Sequence, residues 1–448
     1  MPFFTTTRAA VLLLLFETIG AVCAQSSGSP YSAYGFGDLL PAGQTPQALK
    51  GGTGLALSEP FSLSFGNPAN YAALARPVFD VGFNASTVKS TTDISTASRG
   101  SADLTGFSVG VPFGGGKWGI GLGLTPYSNV DYSTSTTVPT ADGDVRFNYS
   151  GSGGLDRAFF GVGRSLLPQQ YDSLGNAGMT LRIGAEFNFL FGNVEQTRDA
   201  IYPAFNGFNN TRAFSSLVLR APTANASVMW QGDLTRKVSR DADNWRWGIG
   251  ISVDLPTAIQ AHYNRLAYSF VSINNIEAFR DSISSTDRLD GTIDLPLGLG
   301  LGIGVQNARW AIAAEYRLRD WAATSVNVPE FALPSALSAS STIALGATFT
   351  PQDEGSLFRR AMYRFGLRQT QGPIEVRGHV LTTSAVTAGL SLPINAIQTN
   401  SWLHLGVEAG TRGTTTDGLV KEQYTTLWLG ITFTPWRGER WFTKPKIQ

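Results

Sequence analysis

The stretch Leu181-Arg182-Ile183-Gly184-Ala185-Glu186-Phe187-Asn188-Phe189-Leu190-Phe191-Gly192 alternates with a period of two residues. Leu181, Ile183, Ala185, Phe187, Phe189 and Phe191 fall on one face, and Arg182, Gly184, Glu186, Asn188 and Gly192 on the other. Successive side chains of a strand point to opposite sides, so this is a strand with one apolar face and one small or polar face. Trp245 to Leu255 repeats the pattern, with Trp245, Trp247, Ile249, Ile251, Val253 and Leu255 alternating with Arg246, Gly248, Gly250, Ser252 and Asp254. The same rhythm returns at 118–124, 299–305, 310–318, 343–349 and 427–433.

Working outward, the alternation predicts about fourteen strands, near 78–90, 102–113, 117–132, 144–165, 178–195, 214–232, 243–255, 289–306, 308–320, 340–351, 361–370, 383–393, 401–410 and 423–434. An even number keeps both chain ends on the periplasmic side of a closed barrel. Gly114-Gly115-Gly116 and Gln306-Asn307-Ala308-Arg309 suit tight turns on that side. The longer connections 196–213, 256–288, 321–339 and 411–422 are expected as loops on the other.

Composition agrees. The 448 residues include 50 Gly, 27 Phe, 13 Tyr and 10 Trp, with 15% charged residues, one Cys and three His. Few charges beside abundant Gly and aromatics exclude an ordinary soluble α/β enzyme. The net charge of +1 gives no field for nucleic acid. Arg8, the apolar run Ala9 to Phe16, and Val22-Cys23-Ala24 before Gln25 read as a secretory signal peptide cleaved after Ala24. Val22 is too bulky for the small residue that precedes a lipidated Cys23. Once Cys23 leaves with the signal, no disulfide can form. No later apolar run is long enough for a transmembrane helix, which leaves a closed barrel as the way to satisfy backbone groups in lipid.

A soluble sandwich also alternates, but three features favour a membrane. Aromatics cluster at strand ends (Trp118, Trp245, Trp247, Trp310, Trp402, Tyr424), as interfacial girdles require. The second face combines Gly with charges, as a lumen would. A signal peptide is present. The fold class is therefore all-β: a transmembrane antiparallel β-barrel of about fourteen strands in a Gram-negative outer membrane, with an N-terminal plug.

The expected organisation is a signal at 1–24, a leader at 25–76, the barrel at 77–436 and a short tail at 437–448. The leader is either a disordered tail or a plug. Its apolar residues (Tyr34, Phe36, Leu55, Leu57, Phe61, Leu63, Phe65) argue for the plug. In the tail, Trp441-Phe442 either extends the last strand or hangs free as part of a basic end.

Lumen-facing polar candidates are Arg182, Glu186, Arg246, Asp254, Glu315, Arg317, Arg364, His404 and Glu408, with Arg368 beside them. They suggest an internal ion-pair network and do not display an apolar route. Catalysis has little support. His262, His379 and His404 are scattered, His262 is expected in a long loop, and no serine partner for His404 is visible from the pattern. No clustered metal ligands occur, and no cofactor is implied. The Gly-x-Gly repeats at 119–123 and 298–304 lie inside alternating strands, which rules out a phosphate loop.

Gly51-Gly52-Thr53-Gly54, then Asn67-Pro68-Ala69 leading into the first strand of such a barrel, resembles the long-chain fatty-acid transporter (FadL-type) family. The opening Ser29-Pro30-Tyr31…Tyr34-Gly35-Phe36-Gly37-Asp38 and the ending Arg440-Trp441-Phe442-Thr443-Lys444 are similar to a widespread branch of these barrels. The resemblance implies a hatch formed by the leader, with Gly51, Gly52, Gly54, Asn67, Pro68 and Ala69 as its motif. It also implies passive passage of hydrophobic molecules, leaving sideways through an inward kink in the third strand. Thr125-Pro126 lies in the middle of that strand, and Pro cannot donate to a ladder. Pro126 is then either a lateral gate or merely the end of the spanning part. Expected partners are outer-membrane lipid, a hydrophobic small molecule and the barrel assembly machinery. The competing reading is a structural or partner-docking barrel without transport.

Overall fold

In a computed structural model, residues 28–435 are described except 42, 142, 168–171, 175, 204–206, 237–242, 274–275, 334–336, 352–354 and 395–400. The expected signal peptide at 1–24 and the tail at 437–448 lie outside the described residues. The leader carries a two-residue strand, β1 (Asp38–Leu39), and one helical turn, α1 (Thr45–Ala48). Its last part is a 3₁₀ turn at Pro68–Ala73. The wall follows as β2 (Val78–Thr91), β3 (Thr96–Phe113), β4 (Trp118–Thr140), β5 (Gly143–Leu167), β6 (Thr180–Ile201) and β7 (Asn210–Asp233). Next come β8 (Arg246–Asp254), β9 (Thr257–Ile273), β10 (Ile276–Leu295), β11 (Gly298–Gln306), β12 (Trp310–Asp320) and the short β13 (Ser325–Asn327). The ring ends with β14 (Ala339–Phe349), β15 (Met362–Val376), β16 (His379–Pro393), β17 (Trp402–Arg412) and β18 (Lys421–Phe433), and β18 pairs antiparallel with β2 to close it.

Fourteen staves result. β7 pairs with β8 along Asn225–Asp233 and with β9 along Asn210–Arg220, so β8 and β9 form one stave broken at Leu255-Pro256. β10 and β11 likewise form one stave broken at Pro296-Leu297. A proline cannot donate to a ladder, and these two breaks sit side by side in neighbouring staves.

One end, the base, holds Val78, Phe433 and the tight connections 114–116 and 307–309. In bacterial barrels this end faces the periplasm. The opposite end, the rim, is not built from loops as expected. Residues 257–273 and 276–288 continue as β9 and β10, because they stay β-compatible and pair along most of their length. β4 to β7, β9 and β10 rise together as a tall wall. With 25 residues at ~3.3 Å each and a tilt of ~40°, β5 reaches roughly 60 Å along the barrel axis, against an apolar band of ~25 Å.

The outward face carries that band: Phe83, Leu122, Phe160, Phe187, Ile251, Leu301, Ile343, Phe365, Val386 and Leu427 are all exposed. Aromatic contacts Phe79–Phe433, Phe113–Trp118, Trp230–Trp247 and Trp310–Phe349 circle the base of the wall. Such a belt is stable only against lipid. Tyr424, expected in the girdle, instead points inward and donates to Glu408, since it shares the parity of Glu422 and Thr426.

Residues 28–77 pack inside this wall. The leader starts in the rim half, where the Tyr31 hydroxyl donates to the Val420 carbonyl (2.7 Å) and Asp38 pairs with Arg412 (2.9 Å). It then descends to Val78 at the base. The expectation that both ends of the mature chain share one side therefore holds for the barrel strands but not for the start of the leader. Glycines of the wall let the leader approach. A Cβ on Gly250 would lie 2.0 Å from the Leu55 carbonyl oxygen, one on Gly163 2.4 Å from that of Pro68, and one on Gly366 2.0 Å from the Gly51 nitrogen.

Gly250→Val is therefore expected to lower stability by about 1–3 kcal/mol through overpacking. Ile251→Val, on the lipid-facing side of the same strand, should change little. Heat-modifiable gel migration with limited proteolysis of the leader distinguishes the two.

Candidate functional site

The leader's glycine motif forms a tight bend against the middle of the wall. Gly51 and Gly52 hold φ of 71° and 90°, backbone that favours glycine. A Cβ on Gly51 would also meet the carbonyl oxygens of Leu367 (2.9 Å) and Leu345 (3.0 Å). The Gly51 N–H donates to Thr387 Oγ1 (3.1 Å), and the N–H groups of Gly54 and Leu55 both donate to one oxygen of Glu315. A buried carboxylate thus receives two backbone donors that no helix or ladder satisfies.

Asn67 and Pro68-Ala69 close this bend from the other side. Asn67 Nδ2 donates to the Leu55 carbonyl (2.7 Å), and Asn70, three residues on, donates to the Leu57 carbonyl (2.9 Å) and Ser64 Oγ (2.7 Å). The Ala69 N–H donates to Ser227 Oγ of β7 (2.8 Å). The motif residues are thereby brought together, Asn67 acting as a clasp between the two halves of the leader.

The wall's charged residues divide by partner. Four face the leader: Arg182 donates to Ser58 Oγ (2.9 Å), Glu186 accepts from the Tyr71 hydroxyl, Glu315 holds Gly54 and Leu55, and Arg364 donates to the Pro46 carbonyl (3.3 Å). Others bind within the wall: Arg246 with Asp233 (3.5 Å), Asp254 with Arg319 (2.6 Å), Arg317 with Glu315 (3.3 Å), and Arg368 with Glu408. Lys50, fully buried on the leader, pairs with Glu59.

His404 does have a serine beside it. Ser391 on the neighbouring β16 lies 2.7 Å from Nδ1, and Thr432 lies 2.9 Å from Nε2 and donates onward to Asp80. Pairing register, invisible in sequence spacing, brings them together. Ser391 is wholly buried and its hydroxyl accepts from Arg364 Nε (3.0 Å), so the set orients Arg364 and has no access for a substrate. His262 lies on β9 against Asp290 (2.5 Å), not in a loop, and His379 faces Asp417 (2.7 Å). Among the described residues no group of three His, Cys, Asp or Glu converges as metal ligands.

Thr125-Pro126 sits at a break in the wall. β3 and β4 pair only along Phe107–Phe113 and Trp118–Leu124. Gly106, at φ 113°, bulges there, and β4 has a second bulge against β5 between Pro126 and Ser128. Beyond Leu124 the freed edge of β4 is taken by the leader: β1 pairs with Ser128 and Asn129, and the Leu40 N–H donates to the Tyr127 carbonyl (3.0 Å). A cavity of about 660 Å³ lies at this seam, lined by residues that include Leu40, Leu104, Thr105, Thr125, Pro126, Ser128, Phe191 and Trp428.

The sequence did not disclose an apolar interior, yet the rim half of the lumen has one. Phe36 of the leader packs with Leu155, Leu190, Leu219, Ile259, Ile293 and Trp321. These residues continue the inward parity of the strands, and the inward face changes from polar to apolar as the staves rise.

A closed antiparallel barrel of fourteen staves is a fold this chain shares with solved outer-membrane barrels. The toluene transporter TbuX of Ralstonia pickettii superposes with TM-score 0.52 at 13% identity over 88% of this chain and 99% of that one. A Pseudomonas aeruginosa FadL homologue gives 0.52 at 13% over 89% and 99%, and the P. putida toluene transporter TodX 0.52 at 16% over 90% and 100%. At these identities the likeness is one of fold. By its sequence the chain belongs to the BamG family, which it matches over residues 6–448. No curated protein matches it.

Asn67→Ala is expected to leave the buried Leu55 carbonyl without its donor and to lower stability by about 1–3 kcal/mol. Amide exchange should speed up around residues 54–57 while the distant β14–β15 ladder keeps its protection. Uniform loss of protection, or none, would contradict the clasp.

Proposed function

We propose that this protein lets small hydrophobic molecules cross the outer membrane passively, with the leader as hatch and the β3–β4 seam as lateral exit. The observation that carries the reading is the loss of pairing beyond Leu124, with a cavity at the freed edge beside Pro126. Backbone groups in lipid must be satisfied within the protein, so an unpaired seam is tolerated only where something covers or fills it. Here the leader covers part of it through β1. A molecule entering the apolar rim half would pass between the leader and the wall and reach the bilayer through the seam. Rearrangement of Leu40 and Pro41 would widen the path. No reaction is needed, and the driving force is the concentration difference.

Replacing Thr125 by Trp would fill the cavity while leaving the ladder below Leu124 intact. Cellular uptake of a labelled monoaromatic hydrocarbon should then fall by about tenfold or more, a loss of at least ~1.4 kcal/mol in passage free energy. Leu122→Trp on the lipid face should leave uptake unchanged. Equal uptake by both variants would sink the reading.

A second reading has its own observation. The family name points to the barrel assembly machinery, and the tall wall ends on β10, whose rim half pairs, among the described residues, only with β9. Ile276, Phe279 and Ile283 there are 60–71% exposed. A free strand edge with exposed apolar side chains is a template for a partner's strand. On this reading the barrel docks another surface protein, and Phe279→Asp would abolish co-purification of a cross-linked partner. Retention of the partner by that variant would remove the edge from consideration.

A further inference from the structure

We infer that the cavity at the β3–β4 seam selects an uncharged apolar molecule bearing one hydrogen-bonding group, a phenol or short alcohol, over a carboxylate of the same size. The inference rests on the passage reading above and narrows its substrate class. At about 660 Å³ the cavity has the size of a small-molecule site. Leu104 and Phe191 give it apolar surface.

Two hydroxyls are set into that surface. Thr105 is 7% exposed and Ser128 4%, and neither hydroxyl has a hydrogen-bond partner among the described residues. A third neutral group stands close by. Among the described residues neither end of the buried Gln44 amide has a partner, and a Cβ on Gly82 would lie 2.3 Å from Thr105 Oγ1 and 3.4 Å from Gln44 Oε1. Buried polar groups almost always find partners, so several orphans beside one cavity mark a place where a ligand supplies the missing bond. Hydroxyls both donate and accept, which suits the O–H of a phenol or alcohol.

Charge argues against an anion. The charged residues on the lining are Asp103, Asp156 and Arg220, two carboxylates to one guanidinium. Arg157, beside Thr125, lies over the Phe65 ring and donates to Thr125 Oγ1 (3.4 Å). With Arg157 counted, two carboxylates stand against two guanidiniums, so a carboxylate entering here would lose its hydration with no net positive charge to offset the loss.

The test uses the full folded barrel in detergent with three probes that share one apolar body: 4-ethylphenol, 4-ethylbenzoate and ethylbenzene. Binding is followed by titration calorimetry, with the emission of Trp428 on the cavity wall as a second readout. The phenol should bind about tenfold or more tighter than the benzoate. Thr105→Val combined with Ser128→Ala should weaken the phenol by about tenfold and leave ethylbenzene unchanged. Thr105→Ser, which keeps a hydroxyl, should retain the phenol and guards against a folding defect in the double variant. Benzoate binding as tightly as phenol overturns the selectivity, and so does a phenol affinity unmoved in a well-folded double variant. If ethylbenzene binds without any preference for the phenol, only the selectivity falls. If none of the three binds, the passage reading falls and takes the selectivity with it.

Discussion

The structure depends on backbone meeting backbone inside the barrel. A chain threaded through a lumen must bring its peptide groups within hydrogen-bonding reach of the wall, and side chains on the inward face would hold it off. Glycine removes that obstacle. Gly184 lets Pro68 and Ala69 approach, Gly346 lets in Lys50 and Thr53, and Gly82 and Gly430 leave room for Thr45. The wealth of glycine in the composition is therefore the imprint of an enclosed segment more than of turns. Where the wall does carry inward side chains at this level, they are the ones that satisfy the leader: Glu315, Thr387, Ser227, Arg364 and Glu186.

The same constraint explains the seam. β4 is held by β3 only up to Leu124, because the Gly106 bulge and Pro126 put the next residues out of register with the ladder. Closing the edge would require a strand with free donors at Tyr127 to Asn129, and the leader supplies a short one. Leader and wall are thus not independent parts. The leader completes the barrel where the barrel's own strands do not.

Much of the fold was readable from the period-two pattern. Alternation such as Trp245 to Leu255 reports one lipid face and one inner face directly, and the fourteen expected segments correspond to the fourteen staves. The rim was misread for a physical reason. Beyond the membrane the outward face no longer needs to be apolar, so residues 276–290 lose their alternation while remaining a strand. Hydrogen-bonded register was also out of reach. Ser391 and His404 are thirteen residues apart and gave no sign of contact, yet antiparallel pairing sets them opposite each other. Pro126 was legible as a possible interruption, but not that β3 and β4 part company there, since pairing belongs to two strands at once. The apolar rim half was hidden because Leu155 and Leu219 read as ordinary strand residues without regard to height, while Ile259 fell in an expected loop.

Chain order gives the enclosed leader one more consequence. Residues 28–77 precede every barrel strand, so they leave the ribosome first, yet they become surrounded only when β18 pairs with β2. A wall that curls around the leader as it forms needs no later threading, and the leader then serves as the mandrel on which the sheet is wound. Errors in the glycine motif would then appear not first as a loose lumen but as a ring that fails to close.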